Sequence, residues 1–174
     1  MTDFPSHIEI APHEFTATLG IEFDALKPGM VIEHRPGFAF SWSESRERAR
    51  IAGDHAPAVL DPAFAAAVQG GQAAIAETWL LTAVTATTTR TFGRVVANLA
   101  WEDVVFPQPA RDGDFVFAES TILDKRISQS RPNQGVLSVA TRGLTREGVE
   151  VCRYRRTLLV YRSAEGPHKA AGYV

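Results

Sequence analysis

The feature that most constrains this chain is the series of strand-like runs that follows one long stretch free of proline and glycine. Gln72 to about Arg90 is rich in alanine and leucine, which predicts a single long buried helix. Its threonine run, Thr85–Thr89, lowers helix propensity toward the end. After Gly93 come four segments suited to strands, Val95–Phe106, Phe115–Ile127, Val136–Leu144 and Val149–Tyr161. Turn-rich stretches separate them, the shortest being Arg146-Glu147-Gly148. Strands grouped behind a helix predict an α+β domain, with an antiparallel sheet packed on that helix.

The front of the chain reads as accessory to this core. Residues 1–20 read as an irregular N-terminal arm, and 163–174 as a loose C-terminal tail. Between them, 21–162 form one domain. The Lys-Pro-Gly turn at Lys27–Gly29 leads into an extended segment, Met30–Phe40. Ser41, Ser43 and Glu44 mark the start of a helix through Ile51. Gly53-Asp54-His55-Ala56-Pro57 reads as a loop, and Asp61-Pro62 opens a short helix through Val68.

Composition excludes several classes of function. With 18 lysines and arginines against 20 acids, the formal net charge is -2, which lacks the basic excess of a nucleic-acid-binding domain. Cys152 is the one cysteine, so no intrachain disulfide or cysteine-rich metal site can form. The five histidines are scattered with no pair at a helical metal spacing, and no metal or other cofactor is expected. No stretch is apolar for long enough to span a bilayer, and a cytoplasmic, reduced protein is the default expectation.

The loop Gly53-Asp54-His55-Ala56-Pro57-Ala58-Val59-Leu60-Asp61-Pro62 resembles a motif of the MaoC-like, (R)-specific enoyl-CoA hydratase family. That motif reads Gly-Asp-x-x-Pro-(Ile/Leu)-His, often followed by x-Asp-Pro. Phe23–Gly37, Val96–Asp114 and Ser130–Arg156 are similar to further segments of the family in the same order. The resemblance implies the hot dog fold, a long central helix wrapped by an antiparallel sheet. It also implies an acyl thioester substrate, carried by coenzyme A or an acyl carrier protein. In such a site an aspartate and a histidine activate one water, which adds across a trans-2-enoyl thioester, or leaves in the reverse dehydration. Backbone N–H groups at the start of the central helix meet the thioester oxygen as it gains charge.

On this resemblance Asp54 is the catalytic aspartate. The histidine position is occupied by Val59, which can neither donate nor accept a proton. His55, beside Asp54, is the candidate to replace it. Glu77 is a second acid–base or substrate-binding candidate, and Lys125, Arg126 and Arg131 are candidates for coenzyme A phosphates. Trp79 and Trp101 read as core residues, and Arg153, Arg155 and Arg156 as solvated strand charges. The resemblance further implies a homodimer or an assembly of dimers, with a second MaoC-like subunit as a possible partner. Two alternatives stand beside the hydratase reading. One is a catalytically inactive hot dog subunit or acyl-binding module of a hetero-oligomer; the other is a pocket recruited for natural-product tailoring.

Overall fold

The structure, a computed structural model, describes residues 6–68, 70, 73–162 and 170–172. The tail expected over 163–174 lies almost wholly outside the described residues.

The chain opens with β1 (His7–Ala11) and β2 (Glu14–Ala17), an antiparallel pair joined through His13 at φ 64°. Within the arm expected to be irregular, residues 7–17 therefore form a hairpin. A helical turn at Phe23–Ala25 leads to β3 (Val31–Ala39). Next come α1 (Trp42–Ala52), the single turn α2 (Pro57–Leu60), α3 (Pro62–Val68) and α4 (Glu77–Thr87). Four long strands complete the domain: β4 (Val95–Val105), β5 (Phe115–Ile127), β6 (Gln134–Thr145) and β7 (Glu150–Tyr161). With β3 they form one antiparallel sheet in the order β3-β5-β6-β7-β4.

Period-two burial accounts for how the sheet sits. On β5, Val116, Ala118, Ser120 and Ile122 are buried while their neighbours are partly exposed. Leu80, Ala83 and Val84 of α4 join Val116, Val151 and Tyr154 in one core cluster. Leu26, Ile122, Leu137, Val139 and Leu158 form a second cluster, closed by Phe23 and Phe92. Gly135 admits the Phe23 ring, because a Cβ there would lie 2.3 Å from it. The Cys152 thiol is buried within the first cluster, and burial pushes its pKa up to about 12.

Four expectations need correction. The central helix begins at Glu77 rather than Gln72, because competing partners hold the preceding residues extended. Ile75 N–H donates to Ala110 O, Ala74 bridges Arg111, and Ala76 N–H donates to the buried Ser45 hydroxyl. The helix then ends as a tighter turn over Thr88–Arg90, in the threonine run. The loop after Asp54 contains the turn α2, because Pro57 fits the first helical position. Trp101 is 41% exposed, since β4 is an edge strand with no neighbour beyond it among the described residues. Arg156, read as solvated, is 4% exposed and faces α4, where its Nη2 donates to Thr88 Oγ1 at 3.0 Å.

Candidate functional site

The site begins where α1 stops. Ser41 caps its start by accepting from Glu44 N–H. Gly53 ends it in the left-handed conformation at φ 75°, with its own N–H and that of Asp54 returned to Arg50 O and Ala49 O. The chain therefore turns sharply and releases Asp54 from the helix. Asp54 Oδ1 accepts from Ala56 N–H at 3.2 Å, closing an Asx turn. Asp54 Oδ2 accepts from Thr78 Oγ1 at 3.3 Å.

Thr78 is the second residue of α4, so the carboxylate stands at the positive end of that helix. The Ser45 hydroxyl takes Ala76 N–H at 2.8 Å and joins α1 to the start of α4. By position, the N–H groups of Glu77, Thr78 and Trp79 have no acceptor within the helix. Donors of this kind suit an oxygen that gains negative charge. The Trp79 ring packs edge-on against Phe38 at 5.4 Å and Phe40 at 6.4 Å, which fixes this end of α4 on the sheet.

The other nominated residues divide into two groups. His55 is exposed on the loop next to Asp54, and Val59 is half-buried on α2. Glu77 is exposed as the first residue of α4, adjacent to Thr78. Lys125, Arg126 and Arg131 lie instead at the end of β5 and in the turn beyond it. Asp54 and Trp79 belong to the opposite end of that strand, where Phe40 N–H meets Asp114 O. Lys125 is engaged locally. Its ammonium donates to Phe23 O and Asp24 O at 3.0 and 3.2 Å and lies 4.8 Å from the Phe23 ring centroid. Arg131 Nη1 reaches Gln134 Oε1 at 3.5 Å. Within one chain these cations do not join the Asp54 site. A cleft of about 590 Å³ opens at the start of α1, lined by Ser41, Trp42, Ser43, Ala73, Arg111 and Asp112, and none of the nominated residues lines it.

Thr78 and Ser45 are the site residues that sequence reasoning missed. Neither lies in the Gly-Asp loop, and their roles arise only when α1 and α4 meet. A buried polar chain near the other end of α4 was also missed. His34 Nε2 lies 2.8 Å from Ser120 Oγ, which lies 2.8 Å from Thr141 Oγ1, while His34 Nδ1 lies 2.9 Å from Thr91 Oγ1. Burial, reinforced by the Arg156 charge, lowers the His34 pKa to about 4.

A central helix packed on a five-stranded antiparallel sheet is the hot dog architecture of the MaoC-like hydratases and dehydratases. Solved structures carry the same fold. A MaoC-like dehydratase from Rhodospirillum rubrum matches with a TM-score of 0.71 at 19% identity, over 83% of this chain and 99% of that one. A MaoC domain protein dehydratase from Chloroflexus aurantiacus matches at 0.77 and 20% identity, over 85% of this chain and 42% of that one. A Mycobacterium tuberculosis protein with a double hot dog fold matches at 0.75 and 22% identity, over 84% of this chain and 46% of that one.

The sequence narrows the class. The family model for mesaconyl-CoA hydratase matches residues 2–172, and the chain belongs to that family. A curated mesaconyl-CoA hydratase from Haloarcula hispanica is 42% identical over 65 residues, and one from Haloarcula marismortui is 38% identical over 65. Those segments span 37% of this chain and 18% of either relative.

Proposed function

We propose that this chain is a hot dog unit of an acyl-thioester hydratase or dehydratase, with Asp54 as its polar centre. The observation that carries this reading is the Asp54 carboxylate, fixed by Ala56 N–H and Thr78 Oγ1 at the start of α4. A carboxylate in this position can accept a proton from water, while the unpaired helix N–H groups receive the thioester oxygen as it gains charge. The substrate is a 2-enoyl or 3-hydroxyacyl thioester, carried by coenzyme A or an acyl carrier protein. His55 is the histidine nearest Asp54 in the chain, and the proton that leaves or returns to the substrate falls to it or to water.

A second reading is favoured by Val59. That side chain stands where a histidine would complete the water-activating pair, and it cannot move a proton. In this reading the chain is the histidine-less half of a paired assembly, and a different hot dog subunit carries the complete site. The Mycobacterium tuberculosis neighbour has a double hot dog fold, two such units in one chain.

Crotonyl-CoA, mesaconyl-CoA and their 3-hydroxyacyl counterparts, assayed by loss or gain of enoyl absorbance, separate the two. Wild-type turnover that disappears in Asp54→Asn supports the enzyme reading, and its dependence on His55→Ala identifies the second proton carrier. A silent wild type with activity restored by Val59→His supports the non-catalytic half. Silence in every variant, with no acyl-CoA binding, removes both.

A further inference from the structure

The interior of the domain holds a charge that the described residues do not neutralise. Arg156 is 4% exposed on the helix-facing side of β7, and no carboxylate pairs with it among the described residues. Its Nη2 donates to Thr88 Oγ1 at 3.0 Å, while its Nε is buried with no acceptor. The ring centroids of Trp101 and Tyr154 lie 5.4 and 5.5 Å from the guanidinium carbon. Aromatic faces recover part of the cost of burying a cation, but they leave the in-plane donors of the fork unfilled. A carboxylate matches both the plane and the charge of that fork.

The place of Arg156 relative to Asp54 sets which carboxylate fits. Thr78, Thr82, Thr85 and Thr88 recur at three- and four-residue spacing, so they share one face of α4 and the turn that ends it. That face begins at Asp54, which accepts from Thr78 Oγ1, and ends at Arg156, which donates to Thr88. Between them Thr85 Oγ1 lies 3.0 Å from the Tyr154 hydroxyl. The body of α4 packs over β3 and β5. On the flank toward Tyr154, Thr82 and the Trp101 ring remain exposed.

A hydroxyl-lined flank therefore joins the carboxylate at one end of α4 to the unpaired cation at the other. Thr78 and Thr88 lie ten residues apart, which at the helical rise is about 15 Å, the reach of an extended acyl chain of roughly a dozen carbons. A four-carbon acyl group with its thioester at the start of α4 spans about a third of that length and stops short of Arg156.

We infer that Arg156 is a subsite for a carboxylate at the far end of the acyl chain, so that the Asp54 site takes an ω-carboxyacyl thioester of roughly a dozen carbons. The inference rests on the reading of Asp54 as the centre of an acyl-thioester site. Tyr154 is 2% exposed and bonded to Thr85, and Thr88 donates to Thr85 O. Trp101, 41% exposed on the edge strand, is the wall that moves aside to admit the chain end.

Isothermal titration calorimetry of the full chain tests it with two coenzyme A thioesters of equal length, dodecanedioyl-CoA and dodecanoyl-CoA. Wild type is expected to bind the first about tenfold tighter or more, as a charge-assisted hydrogen bond implies. Arg156→Met should lose that preference, and Arg156→Lys, which keeps the charge without the fork, should retain part of it. Equal affinities in wild type, or a preference that survives in Arg156→Met, overturn the inference. The NMR resonance of the Arg156 Nε–H gives a second readout in wild type that needs no thioester. Free dodecanedioate is expected to shift it downfield, and 1,12-dodecanediol to leave it in place. A shifted resonance with neither thioester bound overturns the acyl-thioester reading of Asp54 and keeps the carboxylate subsite. A resonance that neither dodecanedioyl-CoA nor dodecanedioate moves overturns the subsite.

Discussion

The Thr78 hydroxyl donates to Asp54 Oδ2 across 3.3 Å, joining the loop after α1 to the first turn of α4. This bond, with the one from Ala56 N–H, holds the Asp54 carboxylate beside the first turn of α4. Thr78→Val keeps the shape and removes the donor. In an active wild type, kcat for enoyl-CoA hydration is expected to fall about 10-fold, near the cost of one charge-assisted hydrogen bond. Asp54→Asn is expected to lose about 10²–10⁴-fold, as for removal of a general base. Melting temperatures of both variants should stay within a few degrees of wild type. Equal loss in both, or none in either, counts against Asp54 as the reacting group.

His34 sets a pH dependence of stability. The ordinary histidine pKa near 6.5 falls to about 4 in the folded chain, chiefly through burial and secondly through the Arg156 charge. Between those values the unfolded chain binds a proton that the folded chain refuses. Stability from this group is therefore complete above about pH 6.5 and is lost as pH falls toward 4. The gap corresponds to roughly 3 kcal/mol as an upper bound. Urea denaturation at pH 7.5, 6 and 5 should show this decline. In His34→Gln, which keeps hydrogen-bonding capacity for Thr91 and Ser120, the slope across that window should flatten.

The strands were legible because each is a run of strand-forming residues that ends at turn-forming runs, with alternation clearest in β6. Ser41, Gly53 and Asp61 likewise marked helix ends by local chemistry alone. What was not legible depended on partners distant in sequence. Ala73–Ala76 has the composition of a helix, yet Ala110 and Arg111 hold it extended. Trp101 and Arg156 stand opposite each other on β4 and β7, one exposed and one buried, and neither fate follows from its own segment. Asp54 was nominated through its loop, whereas its bond to Thr78 exists only once α1 and α4 pack.

Gly135 is a packing glycine rather than a flexible one. A Cβ there would stand 2.3 Å from the ring of Phe23, which is 3% exposed and held in the second core cluster. Gly135→Ala is expected to destabilise the fold by about 1–3 kcal/mol through overpacking. Thermal denaturation should show the loss, and adding Phe23→Leu should recover part of it by making room. Additive effects in the double variant would argue against direct contact.

Arg156 is a buried cation that pairs with no carboxylate among the described residues. Trp101 and Tyr154 lie 5.4 and 5.5 Å from its guanidinium carbon, Thr88 accepts its one hydrogen bond, and its Nε is buried without a partner. Aromatic faces and a hydroxyl recover only part of the cost of removing the charge from water. Arg156→Met fills similar volume without a charge, and its stability is expected to equal or exceed that of wild type. Arg156→Ala leaves a cavity under α4 and should cost about 2–4 kcal/mol. Loss of the charge should also raise the His34 pKa, which histidine NMR titration reads directly in Arg156→Met. A destabilised Arg156→Met with an unmoved His34 would show that the guanidinium is better satisfied than its contacts indicate.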